Sequence, residues 1–250
     1  MVSTVNYKTM EHPRILVFET LDEMALKALQ WLTEKTSAQD KETVSVALSG
    51  GNTPQALFEK IVKLDTGTVD WNKLLVFWGD ERCVPPEHTD SNFRSAQKSI
   101  LIPLDIPQEH IFRIQGETYP PKEAERYSEV LAKELPIVDG YPHFDLILLG
   151  LGEDGHTASI FPGDESLFET EKWCEVSTHP INGKQRITLT GSVINHAEEV
   201  AFLVTGTPKA QIVAEIALTP ENVDCPAARV LPLSGKIAWL LDKAAASQLK

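Results

Sequence analysis

The stretch Phe144–Ser159, FDLILLGLGEDGHTAS, decides how the chain folds. Its apolar run, Leu146 to Leu151, is the longest in the sequence and is interrupted upstream only by Asp145. A short continuous apolar run bounded by glycines reads as a strand buried on both faces, and such strands belong to largely parallel sheets with helices on either side. The runs around it agree. RILVFE (14–19), VSVALS (44–49), LLVFWGD (74–80), VAFLVTG (200–206) and KIAWLLD (236–242) are compact and apolar and read as further strands, with ARVLPL (228–233) beside them. CEVST (174–178) and QRITLT (185–190) read as strands joined by a polar turn at Asn182-Gly183, and IFRI (111–114) as a short one.

Between these runs the period changes to that of helices. Leu21, Met24, Ala25, Ala28, Leu29 and Leu32 recur at helical spacing within 21–36. Thr53-Pro54 opens a second helix, with Thr as N-cap and Pro in the first turn. Further helices are expected from Ser91-Asn92 to 101, from Pro120-Pro121 to about Leu135, from Thr207 to Leu218, and over the terminal KAAASQL. No linker rich in Gly or Ser, low-complexity tract or repeat interrupts the pattern. The expectation is an α/β fold of a single domain over 1–250, a largely parallel sheet covered by helices on both faces, with room for a small subdomain within 160–200.

Charge and cysteine content narrow the function classes. The 250 residues carry 23 Lys and Arg against 36 Asp and Glu, a net of −13, spread over both halves with no basic tail. A nucleic-acid partner needs clustered cations to displace phosphate counterions, and anionic lipid needs the same, so neither partner is expected. No stretch approaches the roughly 20 apolar residues of a membrane helix. The segment MVSTVNYKTMEHPRILVFE lacks the apolar centre of a secretory signal. It carries Glu11 early and is poor in Arg, unlike a transit peptide. Cys83, Cys174 and Cys225 are odd in number, far apart and form no CxxC, so a cytoplasmic protein with inert thiols is expected, without a disulfide framework or zinc site.

In open parallel sheets ligands bind beyond the C-terminal ends of strands, so the segments following each strand hold the candidates. Ser49-Gly50-Gly51-Asn52-Thr53-Pro54 joins a strand to a helix. Its glycines permit positive φ and close backbone approach, and free N–H groups at the helix start suit an anion such as phosphate. Gly79-Asp80-Glu81-Arg82 places three charges at a strand end, either as a satisfied Asp–Arg pair or as an Arg offered to an anion. His88 to Asn92 is a polar cluster leading into a helix. In Gly150–Ser159, Asp154 and His156 emerge together from a Gly-rich turn, where an imidazole can take a proton near neutrality and a carboxylate can fix its tautomer. Gly206-Thr207-Pro208-Lys209 repeats the strand–turn–helix logic, and Lys209 in a first helical turn opposes the helix dipole unless an anion is near. Arg186 on QRITLT is a further cation. Neither Ser49 nor Ser159 lies in a nucleophile elbow, and no metal-binding motif is present.

Taken in order, SGGNTP, GDER with VP, His and SN downstream, LGLGEDGHTASIFPG, RIT and GTPKA resemble the 6-phosphogluconolactonase family, and the ARVLP and WLLDKAA tail fits as well. The resemblance implies a fold similar to glucosamine-6-phosphate isomerase and ribose-5-phosphate isomerase. It also implies cofactor-free hydrolysis of 6-phospho-D-glucono-1,5-lactone in the oxidative pentose phosphate pathway, by a monomer. On the joint reading His156, Asp154 and Arg82 are the candidate catalytic residues, and Ser49, Gly50, Gly51, Asp80, Asn92, Gly155, Arg186 and Lys209 the candidate substrate-binding residues, with no metal. Arg82 and the N–H groups of the Gly152–Gly155 loop are alternative donors to an oxyanion. A sugar-phosphate isomerase or deaminase on the same scaffold is the nearest rival. Its DGH is followed by IAFNEP where this chain has Thr157-Ala158-Ser159-Ile160-Phe161-Pro162, and its MDEY segment stands where this chain has Gly79-Asp80-Glu81-Arg82. A non-catalytic sugar-phosphate sensor is the other rival, and it has no need of the Asp154–His156 pair.

Overall fold

In the computed structural model, which describes residues 13–218, 223–234 and 236–249, six parallel strands form the main sheet. They are β1 (Arg14–Phe18), β2 (Val44–Leu48), β3 (Leu74–Trp78), β7 (Leu146–Leu149), β10 (Val200–Val204) and β11 (Ile237–Asp242), in the order β1-β11-β10-β7-β2-β3. Every residue of β2 and β10 is buried, as strands covered on both faces must be. The edge strand β1 instead exposes Ile15 and Val17. Helices α1 (Leu21–Thr36) and α2 (Asn52–Leu64) pack together, α1 starting where the Thr20 hydroxyl accepts the Glu23 N–H. None of the helices among the described residues is long and apolar enough to cross a membrane. The reading of the first twelve residues as carrying no leader lies outside the described residues.

The run 74–80 is not one strand. At Gly79 the chain leaves the main sheet, and β4 (Asp80–Arg82) pairs antiparallel with β9 (Gln185–Leu189), which pairs with β8 (Cys174–Thr178) in a separate sheet. Gly79 serves both sheets, donating to Leu48 at 2.9 Å and accepting from Leu189 at 2.8 Å. Next to this crossing the Trp78 N–H goes to a side chain. Tyr127 of α4 (Pro120–Glu134), fully buried, accepts it on its hydroxyl at 2.9 Å. Burial drives that phenol's pKa well above its ordinary value. Between α4 and β7 lies a hairpin of β5 (Ile137–Val138) and β6 (Tyr141–Pro142).

Other expectations are corrected. Thr53 does not cap α2. The N-cap is Gly51 at φ 103°, and the Thr53 hydroxyl lies 2.6 Å from that of Thr205, just past the end of β10. The expected helix 91–101 is α3 (Asn92–Ala96), continued by a wide π turn over Gln97–Leu101. IFRI contributes one bridge, Ile111 to Val76. ARVLPL is no strand: residues 226–229 form a 3₁₀ turn, and the Leu231 and Leu233 N–H groups go to Asn195, in the short helix α5 (Gly191–Asn195), rather than to a ladder. The helix expected from Thr207 begins as a 3₁₀ turn over Thr207–Lys209 and becomes α6 (Ala210–Leu218). KAAASQL is a run of turns.

Candidate active site

The C-terminal ends of β2, β7 and β10 and the β3–β4 crossing open into one cleft of about 500 Å³. Its walls include Ser49, Gly50, Gly51, Asp80, Arg82, Asn92, His156, Arg186 and Lys209. Segments far apart in the sequence therefore converge. Gly155 and Asp154 stand behind the wall. Gly155, at φ 81°, accepts the Ala227 N–H at 3.0 Å, and a Cβ there would lie 2.6 Å from Cys225 Sγ, so it seats the His156 loop on the 225–228 turn.

The His156 ring is held by its neighbour. Nδ1 lies 2.6 Å from Asp154 Oδ1, which also accepts the His156 backbone N–H at 3.2 Å. Partial burial opposes ionisation of Asp154, but the hydrogen bonds and charge of His156 outweigh it and hold the carboxyl below the usual carboxylate range. An ionised carboxylate only accepts, so in the neutral imidazole the proton sits on Nδ1 and the lone pair on Nε2. Gly152 makes the pair possible: a Cβ there would fall 2.1 Å from His156 Nδ1 and 2.4 Å from Asp154 Oδ1. The Phe161 ring packs 5.0 Å from the imidazole.

Around the pair the cleft is cationic and incompletely satisfied. Arg82 and Arg186 stand opposite each other in the β4–β9 register, and like charges directly opposite repel. Arg82 donates from Nη1 to the Asp90 carbonyl, while the Nε atoms of both arginines are buried without a hydrogen-bond partner. Burial pulls the Arg186 pKa down, and Asp80 offsets it only partly from 4.0 Å. Lys209 approaches Glu153 no closer than 4.0 Å. No side chain caps α2, so its first-turn N–H groups face the cleft. A bound anion would relieve all of these at once.

Two expected contacts have structural duties. The Ser49 hydroxyl donates to the Leu148 carbonyl at 2.7 Å, tying the end of β2 to β7. Asn92 donates to the Asp80 carbonyl at 2.9 Å and to its carboxylate at 3.2 Å, and its Oδ1 fills the space a Cβ on Gly50 would need, 1.7 Å away. Sequence reading missed Glu81 and Ser159. The buried Glu81 carboxylate accepts from the Arg82, Asn92 and Phe93 N–H groups and the Ser91 hydroxyl, at 2.7–3.0 Å, and so pins α3 to β4. Burial still pushes its pKa up against those bonds. The only signal in the sequence was its place between Asp80 and Arg82. Among the described residues, no three His, Cys, Asp or Glu side chains converge as metal ligands would.

Residues 19–239 match the family described as Glucosamine-6-phosphate isomerases/6-phosphogluconolactonase. The chain belongs to that family. The 6-phosphogluconolactonase of Haemophilus influenzae is 41% identical over 210 residues, covering 83% of this chain and 88% of that protein. That of Treponema pallidum is 40% identical over 204 residues, covering 82% and 84%. The solved structure of 6-phosphogluconolactonase from Trypanosoma brucei has a TM-score of 0.83 at 32% identity, covering 95% of this chain and 99% of that one. The family match takes in every wall of the cleft, from Ser49 to Lys209.

Proposed function

We propose that this chain opens 6-phospho-D-glucono-1,5-lactone to 6-phosphogluconate, the lactonase step of the oxidative pentose phosphate pathway, by water attack assisted by His156. That it is an enzyme of the 6-phosphogluconolactonase kind follows from its relatives. The observation that carries the mechanism is the 2.6 Å Asp154–His156 contact, which leaves Nε2 as a free base at a cationic cleft.

The phosphate lies against the first turn of α2 and the Gly50-Gly51 backbone, with Lys209 and Arg186 as counter-charges. Binding energy gathered there, away from the reacting bond, orients the lactone. His156 Nε2 takes a proton from water as its oxygen bonds to C1, and the carbonyl becomes an oxyanion. When the bond from C1 to the ring oxygen breaks, that oxygen receives the proton from Nε2, and the product acid ionises to solvent. For the oxyanion donor, Arg82 is the better of the two alternatives. In the Gly152–Gly155 loop the Gly152 and Gly155 N–H groups are spent on the His156 and Gly152 carbonyls, which leaves that alternative only the N–H groups of Glu153 and Asp154. Arg82 keeps unused donors at the cleft. The protein acts as a cytoplasmic monomer in this reading, and sedimentation or size-exclusion measurements check the monomer.

A direct test compares phosphorylated and unphosphorylated gluconolactone. Lys209→Ala raises KM for the phosphorylated substrate and leaves the unphosphorylated one unaffected. Equal effects on both would mean that Lys209 does not anchor the phosphate.

A further inference from the structure

The loop that carries His156 also sends a second side chain inward. Thr157 and Ile160 close a two-residue turn with mutual backbone hydrogen bonds, 3.3 and 2.9 Å. Ala158 inside it adopts φ 48°, a conformation uncommon for a residue with a Cβ and one that persists only where surroundings impose it. The result is that His156 lines the cleft while Ser159, three residues on, is fully buried. Its N–H donates to Thr188 Oγ1 at 3.2 Å, and its hydroxyl donates to Asp80 Oδ2 at 2.6 Å. Thr188 is the β9 residue paired with Asp80, and Arg186 lies two residues before it on the same strand.

The Asp80 carboxylate is thus contested. Oδ2 is taken by Ser159, Oδ1 faces Asn92 at 3.2 Å, and the Arg186 guanidinium stops 4.0 Å from the same Oδ2 that Ser159 holds. A buried guanidinium next to a buried carboxylate would ordinarily close into a bidentate pair and be consumed by it. Here it remains short of that contact, with a buried Nε unpartnered and the opposing Arg82 across the strand. The lowered pKa of Arg186 is the mark of a guanidinium whose burial is not fully compensated.

We infer that Ser159 is a positioning residue that holds the Asp80 carboxylate off Arg186, keeping that guanidinium free for the anionic group of the substrate. The inference deepens the proposed function and rests on it. With the hydroxyl gone, Asp80 turns the released oxygen onto Arg186, and the internal pair competes with the phosphate. The loss appears in binding, and proton transfer at His156 is unaffected.

The experiment measures steady-state kinetics on the phosphorylated lactone together with calorimetric binding of 6-phosphogluconate, on the full chain. Ser159→Ala raises KM and the dissociation constant by roughly tenfold, the scale of one charge-assisted contact, with kcat within about twofold. Ser159→Cys keeps the shape and weakens the donor, so it shifts both constants the same way by less and covers the case in which the alanine variant fails to fold. In an Asp80→Asn background, where no carboxylate remains to capture Arg186, adding Ser159→Ala has no further effect on binding. A lower kcat at unchanged KM, unchanged binding in both single variants, or an equal loss in the Asp80→Asn background would overturn the inference. If the unaltered protein neither hydrolyses the lactone nor binds 6-phosphogluconate, the proposed function itself fails and this inference falls with it.

Discussion

At the scale of single residues, each catalytic expectation depends on a contact that sequence spacing alone leaves open. Asp154 and His156 are two positions apart, and only the path through Gly152 and Gly155 folds the carboxylate back onto Nδ1. That geometry has a pH signature. The contact with His156 holds the Asp154 carboxyl below the usual carboxylate range, so its support for the imidazole is fully present at neutral pH and is lost only as acid protonates that carboxylate. Asp154→Asn removes that charge, so kcat at neutral pH should fall by roughly tenfold or more while 6-phosphogluconate binding is kept. A variant with the parent's kcat would show that the carboxylate does not support His156. Gly50 supplies a second test. A methyl group there collides with Asn92, so Gly50→Ala should weaken 6-phosphogluconate binding by roughly tenfold or more, read by calorimetry. The cleft residues that could be picked out from the sequence are those whose chemistry is unusual for their place, namely His156, Arg82, Arg186 and Lys209. Ser159 and Glu81 were not legible because their importance comes from what lies opposite them across the fold.

At the scale of elements, the parallel strands and the long helices α1, α2 and α4 were readable because each has a consistent period and clear boundaries. The errors fall where backbone pairing is decided by tertiary neighbours. LLVFWGD has the composition of one strand, yet Gly79 hands its last residue to another sheet. ARVLPL has the composition of a strand, yet Asn195 takes its N–H groups. The crossing at Gly79 depends on Tyr127 satisfying the Trp78 N–H. Removing the hydroxyl leaves that buried donor unpaired, so Tyr127→Phe should cost about 1–3 kcal/mol in denaturant unfolding. Because the same crossing places Arg82, catalytic turnover should fall as well. A variant as stable as the parent would mean that Tyr127 only fills space.

At the scale of the whole molecule, the net charge of −13 and the anionic ligand are in tension. The long-range field opposes encounter, and attraction begins only inside the cleft, where Arg82, Arg186, Lys209 and the first turn of α2 converge. Screening shortens the repulsion first, so the association rate of 6-phosphogluconate should rise from low to physiological ionic strength, measured with a salt that does not bind the cleft. A steady fall would show that local cations dominate at long range. The even spread of acidic residues spoke against nucleic acid as a partner but said nothing of the ligand's sign, which is set by a few cations at strand ends. We propose His156 as the base in lactone opening. That role is read from 6-phosphogluconate formation from freshly generated lactone, with spontaneous opening subtracted, for the parent and His156→Ala. With His156 as the base, kcat falls by roughly 10²–10⁴-fold while 6-phosphogluconate binding is retained. Turnover close to that of the parent would contradict it.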